Sequence, residues 1–383
     1  MRDRALHSLV STGCAWLLFS ATLCQAKFSS QTDVPLMVAI FISSPLPPEY
    51  VEAIRAVDRN RVEVIYDPDL YPPIRYVADH KGKPFARTPE QQRRWRGHLS
   101  RAEVLWDFPP NDPDGSGGVL YAPNAKWIQG MSTGIGQKVK ALGLQNSDII
   151  CTTARGIHSG PIAEFAFLGL LIHVRGLPHL ESEQRAHRWN AYCTDELAGK
   201  TLAIVGAGHM AHKVASLGRA FGMRLLAMAR RYAPERAAEL GVDRFYPREQ
   251  LHRMLAEADA LALTIPHTPE TERMIDAAAL NALKPGSVLI NIGRGQVVDE
   301  TALIEALRSG HIGFAALDVF DVEPLPASSP LWDLPNVLIS PHSASAMPSE
   351  NERLVELFCY NLRCYLDGRF HEMRNVLDKQ RLY

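Results

Sequence analysis

The chain has 383 residues, with 41 Lys+Arg against 42 Asp+Glu, 46% hydrophobic residues and 22% charged ones. That composition suits a globular protein large enough for two cores, and it excludes whole-chain disorder, a collagen-like repeat and a coiled coil. Balanced charge argues against a nucleic-acid partner, and six cysteines without a CxxC pair offer neither a disulfide framework nor a zinc site, so no metal is expected.

Residues 1–34 stand apart. No Lys, Arg, Asp or Glu falls between Arg4 and Lys27, and the interval holds the apolar stretch Cys14–Cys24. It reads as a secretory signal peptide, or as an unstructured extension from a mis-assigned start, and is too interrupted for a good spanning helix. From Leu36 onward, short apolar and β-branched runs alternate with longer amphipathic stretches. Strands are predicted at Leu36–Ile42, Arg61–Tyr66, Glu103–Trp106 and Lys126–Gln129, with the Pro-rich segment Phe108–Gly118 as a surface loop. Pro161–Val174 is apolar nearly all round, which predicts a buried helix at a domain or subunit boundary. Further strands are predicted at Lys200–Val205, Arg224–Ala229, Asp259–Thr264, Ser287–Ile292, Gly313–Leu317 and Asn336–Ile339. Helical stretches such as His209–Phe221 and Glu300–Ser309 separate most of these six, so a doubly wound parallel α/β sheet is expected.

The strand Lys200–Val205 runs into Gly206-Ala-Gly208-His209-Met210-Ala211, a GxGxxA turn opening a helix. Gly206 allows the tight turn, Gly208 lets backbone approach a pyrophosphate on the helix N-terminus, and Ala211 lets the helix pack close to the sheet. An NAD site wants a carboxylate at the end of the next strand; here Arg230 and Arg231 stand there instead. Two guanidiniums suit a ribose 2′-phosphate, so NADP is expected over NAD.

Three chemically active side chains follow three later strands: Arg294 in Asn291-Ile-Gly-Arg-Gly295, Glu323 in Leu317–Pro324, and His342 in Ser340-Pro-His342. Open α/β sheets bind ligands at their carboxyl edge. A guanidinium for a planar carboxylate, an imidazole for a proton and a carboxylate to orient it together suit reduction of a 2-oxo acid.

These segments resemble the D-isomer-specific 2-hydroxyacid dehydrogenases, from about residue 100 to Tyr383 and more weakly over 36–100. Leu197–Gly206, Thr268–Thr271, Asn291–Glu300, Leu317–Leu325, Ser340–His342 and Asn375–Lys379 carry the likeness. The resemblance implies that Arg294 binds substrate carboxylate and carbonyl, that His342 is the general acid/base with Glu323 its partner, and that Asp318 lies near the nicotinamide. It further implies cofactor contacts from His209, Met210, Thr264, Pro266, Thr271 and Ile292, and a substrate-carboxylate clamp at Ser132, Thr133 and Gly134. The family fold it implies is a Rossmann-type domain over 159–342 and a discontinuous flavodoxin-like substrate domain over 35–158 and 343–383. The helix after Pro161 resembles the family's subunit contact, so a homodimer is expected, with no nucleic-acid partner and no stable membrane association. A cytosolic location follows from the need for reduced nicotinamide. Two departures stand out: Ser-Ala-Ser345 follows His342 where family members commonly carry a glycine, and Arg155 and His158 occupy positions often uncharged. The leading expectation is reduction of a small 2-oxo acid such as glyoxylate or hydroxypyruvate. The alternative is a dinucleotide-sensing binding protein, like the related C-terminal-binding corepressors, without metabolic turnover.

Overall fold

The computed structural model describes residues 37–112, 115–232 and 234–382; the signal-like segment lies outside the described residues. Five parallel strands form a first sheet: β1 (Val38–Ile42), β2 (Val62–Ile65), β3 (Val104–Trp106), β4 (Trp127–Gln129) and β5 (Ile150–Thr152). Their spatial order is β2-β1-β3-β4-β5. Seven parallel strands form a second: β6 (Thr201–Val205), β7 (Arg224–Met228), β8 (Arg244–Tyr246), β9 (Ala260–Leu263), β10 (Ser287–Asn291), β11 (Ile312–Leu317) and β12 (Val337–Ile339). Here the order is β12-β11-β10-β9-β6-β7-β8. The first order is flavodoxin-like; the second reverses direction between β6 and β9, the crevice where doubly wound sheets take dinucleotides.

Both sheets are covered on both faces. Every residue of β6 is buried; Leu202 and Ile204 join one core layer, Ala203 and Val205 the other, as the two-residue period of a strand requires. The helix Ser159–Arg175 covers one face of the second sheet with Ile162, Ala166, Phe167 and Leu170. It sits so close that a β-carbon on Gly169 would lie 2.4 Å from that of Ala316. Its apolar surface is not consumed, however, since Leu168 stays 48% exposed. The C-terminal helix Glu350–Leu366 returns to the first sheet, where Phe358 stacks on Trp127 (4.8 Å) and meets Trp106 edge-on (5.2 Å). Two crossings therefore join the sheets, one leading from β5 into the helix at Ser159 and one from β12 into the helix at Glu350.

Differences from the sequence reading are local. β5 and β8, each three residues long, were not expected, and β8 makes the second sheet seven-stranded rather than six. Phe108, read as the start of a surface loop, packs in the core beneath the first sheet. Among the described residues no single helix is long and apolar enough to cross a membrane.

Candidate active site

The glycine turn lies at the switch point. Gly206 has φ 130°, and a β-carbon there would fall 2.1 Å from Thr264 Oγ1. That oxygen, like the Thr264 N–H, donates to the Val205 carbonyl at 2.9 Å, so turn and β9 loop are locked together. Around Gly208 the position of a β-carbon is open, with nothing within 4 Å. The helix His209–Ala220 starts at this residue without any side chain capping it, which leaves its first N–H groups for an anion. Ala211 is fully buried against the sheet. An open backbone cradle at an uncapped helix start is the shape a dinucleotide pyrophosphate requires, so the residues present fit that group.

Other expected contacts are distributed unevenly. Arg230 and Arg231 are exposed just beyond β7. Sequence reasoning missed Arg236, whose Nη2 donates to the Ala207 carbonyl inside the glycine turn at 3.1 Å; a third arginine six residues past Arg230 was its only signal. The Thr271 hydroxyl braces its own loop, accepting from Thr268 N–H and donating to the Pro266 carbonyl, both at 2.8 Å. The Ile292 side chain is packed in the core, so its part in the site is that of backbone at a strand end.

Arg294 is pinched into place. A β-carbon on Gly293 would lie 2.6 Å from the Ile265 carbonyl, and one on Gly295 1.9 Å from the Phe320 carbonyl, so only glycines let these strand-end loops close around it. Asn291 Nδ2 holds the Arg294 carbonyl at 3.0 Å. Burial lowers the guanidinium pKa from its ordinary value, opposed by the nearby charges of Glu323 and Asp318. Gly134, beyond β4 of the first sheet, touches this guanidinium: its β-carbon position lies 2.0 Å from Nη2. Ser132 and Thr133, in the same loop, are exposed.

His342 Nδ1 lies 2.7 Å from Glu323 Oε2, and Glu323 Oε1 accepts the Phe320 N–H at 3.0 Å. The imidazole is thus oriented by a carboxylate that is itself fixed by backbone. His342 takes φ 52°, unusual for a residue with a β-carbon. Asp318 supports that loop: its Oδ1 accepts from Ser340 Oγ (2.6 Å) and from the N–H groups of Ser343 and Ala344 (2.9 Å each). Because backbone amides make two of these bonds, the absence of the usual glycine after His342 does not undo the loop. Burial raises the Asp318 pKa, against the pull of those hydrogen bonds and of His342. His158, flagged by its unusual position, is buried, with Nε2 3.0 Å from Glu350 Oε1, and so joins the two crossings.

A parallel sheet with an open phosphate cradle at its switch point, and an arginine, a carboxylate–imidazole pair and a bracing aspartate along one edge, defines a dinucleotide-binding α/β protein equipped for acid–base chemistry. Comparison with known proteins agrees. The family pattern described as D-isomer specific 2-hydroxyacid dehydrogenase, NAD binding domain, matches residues 167–344. A D-3-phosphoglycerate dehydrogenase of Mycobacterium leprae (strain TN) is 37% identical over 294 residues, 72% of this chain and 53% of that protein. The chain thus spans about half the length of the phosphoglycerate dehydrogenases it matches. A glyoxylate reductase of Aeropyrum pernix is 35% identical over 246 residues, 60% of this chain and 72% of the relative. The solved D-isomer specific 2-hydroxyacid dehydrogenase from Xanthobacter autotrophicus Py2, in complex with NADPH and MES, superimposes with TM-score 0.68 at 26% identity. The match covers 91% of this chain and 100% of that one. The chain belongs to the D-isomer specific 2-hydroxyacid dehydrogenase family.

Proposed function

We propose that this chain is an NADPH-dependent reductase of a small 2-oxo acid, of glyoxylate or hydroxypyruvate size, giving the D-2-hydroxy acid. The observation that carries the reading is the His342–Glu323 pair at 2.7 Å, whose carboxylate charge also acts on Arg294. Arg294 offers its fork to the substrate carboxylate and carbonyl oxygen, and the loop at Ser132, Thr133 and Gly134 closes on the other side. When bound, reduced nicotinamide supplies the hydride that the carbonyl carbon needs. His342, protonated, gives its Nε2 proton to the carbonyl oxygen; Glu323 holds Nδ1–H and stabilises the imidazolium before that transfer. Asp318 positions His342 through the loop bonds rather than by touching the imidazole.

Arg230 and Arg231, standing where an NAD site has a carboxylate, support NADPH, as does the NADPH complex of the Xanthobacter relative. We assign residues 35–158 and 343–383 to a substrate domain and 159–342 to the dinucleotide domain. Exposed Leu168, Leu177 and Leu180 and the fully exposed Trp189 support a homodimer through the Ser159–Arg175 helix and its extension. The cytosolic nicotinamide pool makes the cytosol the compartment in which such a reductase works. The test is a rate panel with glyoxylate, hydroxypyruvate, pyruvate and phenylpyruvate against NADPH and NADH. Turnover of a small 2-oxo acid faster with NADPH is expected; tight NADPH binding without turnover of any of them would make the chain a dinucleotide-sensing binding protein instead.

A further inference from the structure

Where the crossing from β5 meets the C-terminal helix and tail, a surface cavity of about 350 Å³ is lined by Arg155, Arg353 and Arg374, together with Gly156, Glu356 and Asn375. Among the described residues none of these three guanidiniums has an ion-pair partner, whereas Arg61, Arg75 and Arg101 elsewhere are each paired with a carboxylate. The cavity wall is built rather than incidental. Fully buried Asn361 accepts the Arg374 N–H (2.7 Å) and donates to its carbonyl (3.1 Å), while the guanidinium lies 3.8 Å over the Tyr360 ring. Asn375, at φ 59°, accepts the Thr153 N–H at 2.9 Å and donates Nδ2 to the Arg155 carbonyl at 2.8 Å. Arg353 Nη1 donates to the Ile157 carbonyl at 3.3 Å. Three cations less the one carboxylate, Glu356, leave a local charge of +2 (3 − 1). That complements a phosphate group, which carries about −1.5 to −2 at neutral pH. Guanidinium forks match phosphate oxygens better than any other side chain does.

We propose that this cavity binds a phosphoryl dianion through arginines other than those proposed for the cofactor, at a site that neighbours the dinucleotide turn, since the β-carbon position of Gly156 in its wall lies 3.8 Å from His209 Nδ1. The ligand class is inorganic phosphate, pyrophosphate or the phosphate group of a small metabolite. An occupant held by all three arginines ties the 155–157 crossing to the C-terminal helix and tail, and so acts on the segment joining the two sheets. The experiment is calorimetric titration of the whole chain with inorganic phosphate and with pyrophosphate. It is run on wild type, on the doubly substituted Arg155→Ala/Arg374→Ala chain and on the doubly substituted Arg230→Ala/Arg231→Ala chain. With the dinucleotide turn filled by saturating NADP+ throughout, one site per chain is expected, weakened about tenfold or more by the first pair and unchanged by the second. Glu356→Gln, which removes the one like charge, is expected to tighten binding by about threefold, an opposite-sign test that does not depend on the arginine variants folding. No binding at millimolar anion overturns the site, as does affinity insensitive to Arg155 and Arg374 or lost only with Arg230 and Arg231.

Discussion

Gly134 and Arg294 belong to different sheets, yet a β-carbon on Gly134 would lie 2.0 Å from the Arg294 Nη2. The closeness means that the loop beyond β4 and the loop beyond β10 act as two jaws on one small space. The crowded atom is the far end of a flexible side chain, so Gly134→Ala should fold normally and displace the guanidinium. The expected outcome is a KM for 2-oxo acid raised about tenfold with the melting temperature nearly unchanged, measured by steady-state kinetics and thermal unfolding.

Asp318→Ala removes the acceptor for Ser340, Ser343 and Ala344 at once. Of these donors only Ser340 is buried, Ser343 and Ala344 lying where water can replace much of the loss, and a buried donor left unpaired costs about 1–3 kcal/mol. The expected loss is about 2–3 kcal/mol of unfolding free energy and a fall in kcat larger than any change in cofactor affinity. Asp318→Asn, which keeps an oxygen in place, should recover most of the stability. Urea unfolding and kinetics on both variants check this.

These expectations show where the sequence was legible. Short apolar and β-branched runs located ten of the twelve strands among the described residues, and GxGxxA read with its neighbouring strand and helix located the switch point. Ile150–Thr152 and Arg244–Tyr246 escaped because three residues are too few to display a period and neither Ile-Cys-Thr nor Arg-Phe-Tyr has the aliphatic run that marks the equally short Val337–Ile339. Arg294, Glu323 and His342 stood out as candidates because each lies in the loop that follows a strand, and strand ends of a parallel sheet share one edge. The bonds that hold them were not. Asp318 reaches Ser343 and Ala344 through amides that any residue supplies, and the Arg236 contact with Ala207 depends on the path of a loop that carries no motif.

Cofactor choice is tested by Arg230→Ala/Arg231→Ala. NADPH binding should weaken by about tenfold or more, with NADH binding nearly unchanged, since each charge-assisted bond to a phosphate contributes about 1.5–3 kcal/mol. Fluorescence titration with both cofactors reads the ratio, and an unaltered ratio removes these residues from the 2′-phosphate.

The join between the crossings is expected to weaken in acid. Burial alone would raise the Glu350 pKa, but the imidazoles of His158 (3.0 Å) and His80 (3.6 Å) bring it down to about 2. A carboxylate with a depressed folded-state pKa stabilises the fold above its unfolded value, and that contribution disappears as pH falls through the folded value. The unfolding free energy of wild type relative to Glu350→Gln should therefore be greatest above about pH 5 and shrink between the ordinary glutamate range and about pH 2. Urea titrations at a series of acid pH values measure the difference directly.

The central claim is that His342, oriented by Glu323, delivers the proton at this edge. The most direct measurement is the NADPH oxidation rate of His342→Ala with its best 2-oxo acid, taken alongside NADPH affinity on the same preparation. The expected result is a rate reduced roughly 100- to 10,000-fold with cofactor affinity within about twofold of wild type. A variant that turns over at the wild-type rate would contradict the assignment.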